Sequence, residues 1–295
     1  MKLAITGANG HLGRRLIATI GGQHEIVAVV RSLAAQQVLA GQVGEAATVV
    51  ACDYAKAESL AKVLVDVDYI VHLPGIIKES RANTFKMAHE DAADALLAAV
   101  AGKPAQGVLY LSILGAHVDS TNQCLASKAR AESRLLAGEV PARIIKVPMV
   151  LGEGDFASRA LQKKAQRQFN VDFHSASLEQ PIYAGDVIQA IINSLQEVPS
   201  RDVIELAGPE SLTRRALIKR AGRLLGENPR VISVPLRVGL LMAGLLELLL
   251  PSPPVTRAML GVLDHDDAVE TTKAARKLGL RLTSLDDMLR AVLLR

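Results

Sequence analysis

Residues 6–13 of this 295-residue chain read Thr6-Gly7-Ala8-Asn9-Gly10-His11-Leu12-Gly13, with glycines at a spacing of three. Each glycine allows something a side chain would obstruct: a tight turn at Gly7, close approach of backbone to a ligand at Gly10, close helix–strand packing at Gly13. From Gly7 to Gly13 the backbone amides, with Ala8, Asn9, His11 and Leu12 between the glycines, can gather around an anion at the positive end of a helix dipole. The chemistry of such a loop is to hold a pyrophosphate. Arg31 and Ser32 follow the apolar run Glu25 to Val30. At that place in a dinucleotide site, an acidic residue holds the adenosine ribose hydroxyls, whereas an arginine fork suits an additional phosphate. With no carboxylate beside Arg31, the sequence points to NADP(H) in preference to NAD(H), and Arg14 can assist. Asp53, closing a third apolar run, can accept from the adenine amino group or cap the helix that follows.

These residues need rigid elements to aim them. Leu3-Ala4-Ile5 precedes the loop, and Leu12, Leu16, Ile17 and Ile20 follow at helical spacing, giving strand, turn and helix in order. Further strands are predicted over 25–30, 47–52, 68–73, 107–112 and 142–147, with helices over 85–101 and 126–136. Alternation of this kind implies right-handed crossovers and a parallel sheet covered on both faces, with ligands beyond the carboxyl ends of the strands. Residues 1–150 read as a dinucleotide-binding domain to which 181–208 return. Residues 151–180 and 209–295 read as a smaller, mainly helical part on the substrate side. Within it, 153–180 reads as loop around a basic helix (Arg159, Lys163, Lys164, Arg167). Thr213 caps a helix with Leu217, Ile218, Ala221, Leu224 and Leu225 on one face, and a last helix starts at Leu285.

Composition narrows the class. A net charge of +4 suits an anionic ligand but is too small to argue for nucleic acid, and no basic run is interleaved with aromatics. Cys52 and Cys124 are far apart and form no C-x-x-C pair, so a reducing, cytoplasmic setting is expected without a metal site. The first strand leaves no room for a signal peptide. The segment from Gly239 to Leu250, GLLMAGLLELLL, is too short to span a bilayer. It reads as a buried helix of the C-terminal part, the alternative being a membrane-surface or partner-facing helix.

The motifs Thr6-Gly7-x-x-Gly10-x-x-Gly13, Asp53, His72-Leu73-Pro74-Gly75, Ser112, Lys128 and Gly152-Glu153-Gly154-Asp155 resemble the extended and atypical short-chain dehydrogenase/reductases. So do Pro181-Ile182-Tyr183-x-x-Asp186-Val187 and Glu205-Leu206-Ala207-Gly208-Pro209-Glu210. Within that group, Leu111 to Ala116 and the tail 264–289 look most similar to the Rossmann-type accessory subunit of respiratory complex I and its bacterial relatives. The resemblance implies an α/β fold, a doubly wound parallel Rossmann sheet. It implies NADP(H) contacted by Leu73, Pro74 and Gly75 besides the glycine loop, Arg31, Ser32 and Asp53. It also implies a catalytic Ser with Tyr-x-x-x-Lys, in which the Tyr exchanges a proton with the substrate oxygen while the Lys lowers its pKa and binds ribose.

Here the chain departs from the family. It reads Cys124-Leu125-Ala126-Ser127-Lys128, keeping Lys128 and Ser112 but placing Cys124 at the tyrosine position. A thiol is a weak donor on a shorter side chain and cannot reach where a phenol would. Cys124 is then either a small apolar filler or a thiolate activated by Lys128. Tyr110, Tyr183 and His117 are the other groups able to move a proton, each better read as packing or solvent-exposed. The implied function is an NADP(H)-binding oxidoreductase or epimerase-like protein with a small-molecule substrate. The alternative is a non-catalytic NADPH-binding structural or redox-sensing protein, including a peripheral subunit of a respiratory or quinone-related complex.

Overall fold

The computed structural model describes residues 1–103, 105–250, 253–262 and 264–294. Its first elements are β1 (Lys2–Thr6), α1 (His11–Ile20), β2 (Glu25–Val30), α2 (Leu33–Val43), β3 (Thr48–Ala51), α3 (Ala57–Val63) and β4 (Tyr69–His72). There follow α4 (Ala92–Val100), β5 (Gly107–Ile113), α5 (Gln123–Ala137), β6 (Ala142–Val147), β7 (Val150–Leu151), α6 (Phe156–Gln166), β8 (Phe169–Phe173), β9 (Leu178–Glu179), β10 (Ile182–Tyr183) and α7 (Ala184–Leu195). The chain continues through β11 (Asp202–Glu205), β12 (Leu212–Thr213), α8 (Arg214–Leu224), β13 (Arg230–Val234), α9 (Leu236–Leu249), α10 (Arg257–Val262), α11 (Thr272–Lys277) and α12 (Leu285–Leu293). Two compact units emerge: Met1–Lys146 with Ile188–Ile204, and Val147–Val187 with Glu205–Arg295.

The first unit is built on a seven-stranded sheet in the order β11-β6-β5-β4-β1-β2-β3. The pairings from β3 through β2, β1 and β4 to β5 are parallel. Helices cover both faces of such a sheet, so its strands read as continuous apolar runs rather than alternating ones. Leu3, Ala4 and Ile5 of β1 are fully buried, as are Ala28, Val29 and Val30 of β2. Strand order reverses between β1 and β4, whose carboxyl ends, Thr6 and His72, lie in register. Two loops therefore leave the sheet side by side, and ligands in open α/β sheets bind at such a point.

Two local predictions need correction here. The single helix expected over 85–101 is a π-helical turn, Lys86–Asp91, running into α4, and the widened turn buries His89 and Glu90. The helix expected from residue 126 starts at Gln123, because the Asn122 side chain caps it by accepting from the Cys124 and Leu125 amides.

The second unit packs α6, α8 and α12 around Leu161, Leu217, Ile218, Leu285, Met288 and Leu289. Thr213 caps α8 as expected, its hydroxyl accepting from the Ala216 amide. Residues 153–180 are less loop-like than predicted, since β8 runs through them and pairs in parallel with β13. The expectation that Gly239 to Leu250 forms a buried helix is overturned. Within α9 only Gly239 and Ala243 are buried, while Leu241, Met242, Leu245, Leu248 and Leu249 are exposed. The helix lies on its neighbours through its smallest residues: a Cβ at Gly239 would come within 2.7 Å of the Phe173 ring. Leu241, Leu245, Leu248 and Leu249 therefore point away, while Leu236, Leu240 and Leu246 are half-buried.

Candidate functional site

The loop after β1 owes its shape to glycine. Gly7 has φ +70°, and a Cβ there would stand 3.0 Å from the Pro74 amide nitrogen. A Cβ at Gly13 would fall 2.6 Å from the Ala8 carbonyl oxygen, so the first turn of α1 can pack on the loop only without one. Gly10 is the N-cap of α1 and supplies no capping side chain, which leaves the first-turn amides to other partners. Asn9 and Gly10 are exposed, whereas Ala8 is buried and donates its amide to the Val29 carbonyl. A cradle that a Cβ would fill, at the positive end of a helix and at the switch point of the sheet, fits a dinucleotide pyrophosphate.

The neighbouring strand ends are arranged around Arg31. It is exposed, and its guanidinium carbon lies 5.7 Å from the ring centroid of Tyr54, a distance typical of cation–π contact. Tyr54 is a residue that sequence reasoning missed. The signal was available, since β2 and β3 pair with Val30 opposite Ala51, bringing the residues after both strands together. Ser32 uses its hydroxyl to cap α2, accepting from the Ala35 amide at 3.2 Å. Asp53 accepts from the Ala55 amide at 3.2 Å and lies 3.5 Å from the Lys56 ammonium, so it acts locally as a turn residue.

The proposed catalytic residues are close together but turned inward. Lys128 is buried, with Nζ donating to the Pro74 carbonyl at 3.2 Å and the Leu111 carbonyl at 3.0 Å, and lying 4.4 Å from the Tyr110 ring centroid. Burial pulls its pKa down to about 8, against the opposing pull of Cys124 and Glu132. Leu73, Pro74 and Gly75 form the loop after β4 that Lys128 pins, and a Cβ at Gly75 would meet Nζ at 3.2 Å. Ser112 donates its hydroxyl to Glu132, which also pairs with Lys146 at 3.0 Å. The Cys124 thiol donates to the Ile76 carbonyl, and burial pushes it up to about 11 despite the nearby Lys128 charge. The environment thus favours the thiol and not the thiolate.

A second tier lies beneath these residues, and of it His89 and Glu132 escaped the sequence. Thr6 Oγ1 lies 2.7 Å from His72 Nδ1, tying together the carboxyl ends of β1 and β4. His89 Nε2 accepts from the Ile76 amide, so Nδ1 carries the proton and donates to Ser127 at 2.8 Å. Both histidines are driven down to about 3, by burial first and by the Lys128 charge second. Tyr110 is fully buried in the sheet and stands 5.5 Å from the His72 ring. Of those two, Glu132 alone had a legible signal: Cys124, Lys128 and Glu132 follow at intervals of four along α5 and share one face. The other acid–base candidates have different settings. His117 is exposed, and Tyr183 belongs to the second unit, where it donates to Glu153 at 2.6 Å.

The family described as NAD(P)H-binding matches residues 7–168. A ceramide reductase of Caulobacter vibrioides is 26% identical over 248 residues, covering 83% of this chain and 76% of the relative. A mitochondrial NADH dehydrogenase [ubiquinone] 1 alpha subcomplex subunit 9 of Arabidopsis thaliana is 25% identical over 300 residues, covering 96% and 73%. Among solved structures, the Bordetella bronchiseptica enzyme WbmG in complex with NAD aligns with a TM-score of 0.76 at 15% identity, covering 100% of this chain and 93% of that one. A dTDP-glucose 4,6-dehydratase from Streptomyces venezuelae gives 0.75 at 18%, covering 99% and 95%. At these identities the structural likeness speaks for the fold, which is that of Rossmann epimerases and dehydratases.

Proposed function

The chain belongs to the NAD(P)H-binding family, and on that premise we propose that it is an NADP(H)-binding oxidoreductase or epimerase-like protein of the atypical short-chain dehydrogenase/reductase group with altered acid–base chemistry. The observation that carries this reading is the glycine cradle, where Gly7 at φ +70° and the uncapped start of α1 leave backbone donors for a pyrophosphate. Gly7 to Gly13 would hold that group, with Arg31, steadied over Tyr54, taking the additional phosphate that distinguishes NADP from NAD. Bound NADPH would supply a hydride. Asp53 and the Leu73–Gly75 backbone border the same switch point. Lys128 and Ser112 act as positioning residues, the first through the Pro74 carbonyl and the second through Glu132. Two free, buried cysteines, Cys52 and Cys124, support a reducing, cytoplasmic setting.

The ceramide reductase supports a lipid carbonyl substrate. A UDP-2-acetamido-2,6-beta-L-arabino-hexul-4-ose reductase of Pseudomonas aeruginosa, 31% identical over 160 residues (52% of this chain and 37% of that relative), supports a nucleotide-sugar ketone. The test is NADPH consumption by the purified protein against both ketone classes. Slow, substrate-dependent consumption is expected, because the phenol that would donate the proton is replaced by Cys124. Tight NADPH binding without consumption would instead favour a second reading, a nucleotide-holding subunit of a larger complex. That reading draws on the inward commitment of Cys124 and Lys128 and on the complex I relative.

A further inference from the structure

The second unit carries a face whose pattern is inverted. Along β8, Asn170 and Asp172 are buried, while Phe169 and Val171 are exposed. Alternation along a strand puts Phe169, Val171 and Phe173 on one side, and the parallel register sets Arg230, Ile232 and Val234 beside them. Helix α9 covers only the Phe173 end of this side, through Gly239. Its own outward stripe is Val238, Leu241, Met242, Leu245, Leu248 and Leu249, with Leu241 69% and Leu248 81% exposed. Exposed apolar side chains on this scale, gathered on adjoining elements, mark a contact surface.

The chemistry of the face selects its occupant. Specific protein interfaces carry roughly one hydrogen bond per 100–200 Å², yet past Arg237 the α9 stripe offers no donor or acceptor side chain. Acyl chains need none. The charges are one-sided as well. The acids of β8, β13 and α9 are Asp172, paired with Lys164, and Glu247, paired with Arg257. Arg237 is exposed and Arg230 lies over the Phe169 ring, neither with a carboxylate partner among the described residues. No helix among the described residues is long and apolar enough to cross a membrane. We propose that α9 and the β8–β13 ribbon dock the protein on an anionic lipid surface, with the leucines of α9 entering the acyl boundary and Arg230 and Arg237 meeting headgroup phosphates.

Flotation of the full chain with vesicles tests this, comparing phosphatidylcholine mixed with phosphatidylglycerol against phosphatidylcholine alone. The protein should float with the mixed vesicles, more weakly with the neutral ones, and less as salt rises. Leu241→Glu with Leu245→Glu should lower vesicle affinity by about tenfold or more, and Arg237→Glu by about fivefold. Thermal unfolding and NADPH binding should not change, which shows that the variants fold. Absence of flotation, or flotation indifferent to these substitutions, overturns the proposal. So does a concentration-dependent dimer abolished by the same leucine changes, which would assign the face to a second copy of the chain.

Discussion

The glycine loop and the Cys124–Lys128–Glu132 face of α5 lie in one unit, the first matching its family motif throughout and the second only at Lys128, and they use their polar groups in opposite ways. In the loop the functional groups are backbone amides, and the glycines clear space so that those amides can meet something outside the protein. On α5 the functional groups are side chains, and each is spent inside: Lys128 on two carbonyls and a ring, Ser112 on Glu132, Cys124 on Ile76. On α5 the motif residues have their polar atoms satisfied within the protein, whereas the loop leaves first-turn amides of α1 for a partner outside it.

If the inward region is structural, acid should expose it first. His72 and His89 stay neutral in the folded chain down to about pH 3, whereas in the unfolded chain they charge near 6.5. Between those values the unfolded chain binds more protons, so stability falls as pH falls, by about 1.4 kcal/mol per pH unit for each histidine. Between pH 6.5 and 5 the two histidines should together remove roughly 3 kcal/mol, partly offset in the total by Asp267, which burial raises to about 7. The stability difference between wild type and His89→Gln, measured by denaturant titration, should therefore shift by about 1.5 kcal/mol across this window. A difference that does not change with pH would mean that the His89 ring is not held neutral. The outward region is probed by Gly13→Val, whose side chain cannot avoid the Ala8 carbonyl. We expect a loss of roughly 3 kcal/mol from overpacking, together with loss of NADPH binding, read by chemical denaturation and titration.

Lys128→Met asks whether the ammonium is structural. Orphaning the Pro74 and Leu111 carbonyls should cost roughly 2 kcal/mol. The pH dependence gives a second, independent sign. Because Lys128 titrates at about 8 in the fold and at 10.5 unfolded, wild-type stability gains from this group as pH rises through that window. The variant lacks the gain, so its deficit should grow from pH 8 to 10. A deficit that stays constant would place the lysine in a more open setting.

Much of the first unit was readable in advance, because a sheet buried on both faces writes itself as unbroken apolar runs such as Leu3-Ala4-Ile5 and Ile26 to Val30. The glycine loop was readable because its meaning lies in the backbone. What stayed hidden depends on direction and depth. An almost wholly apolar helix does not disclose that Gly239 and Ala243 face its neighbours while Leu241, Leu245, Leu248 and Leu249 face out. The β8 strand hid because its buried residues are Asn170 and Asp172, the reverse of the usual pattern. His72 was legible only as the start of a loop motif and His89 not at all; strand ends and a π-helical turn bring them to Thr6 and Ser127.

The central claim is that the outward-facing loop holds a dinucleotide and that Arg31 chooses which one. Calorimetric titration of NADPH and NADH into wild type and Arg31→Asp tests it most directly. Wild type should bind NADPH about tenfold more tightly than NADH, and Arg31→Asp should reverse the order. Equal affinities in wild type, or a preference that the substitution leaves untouched, would contradict it.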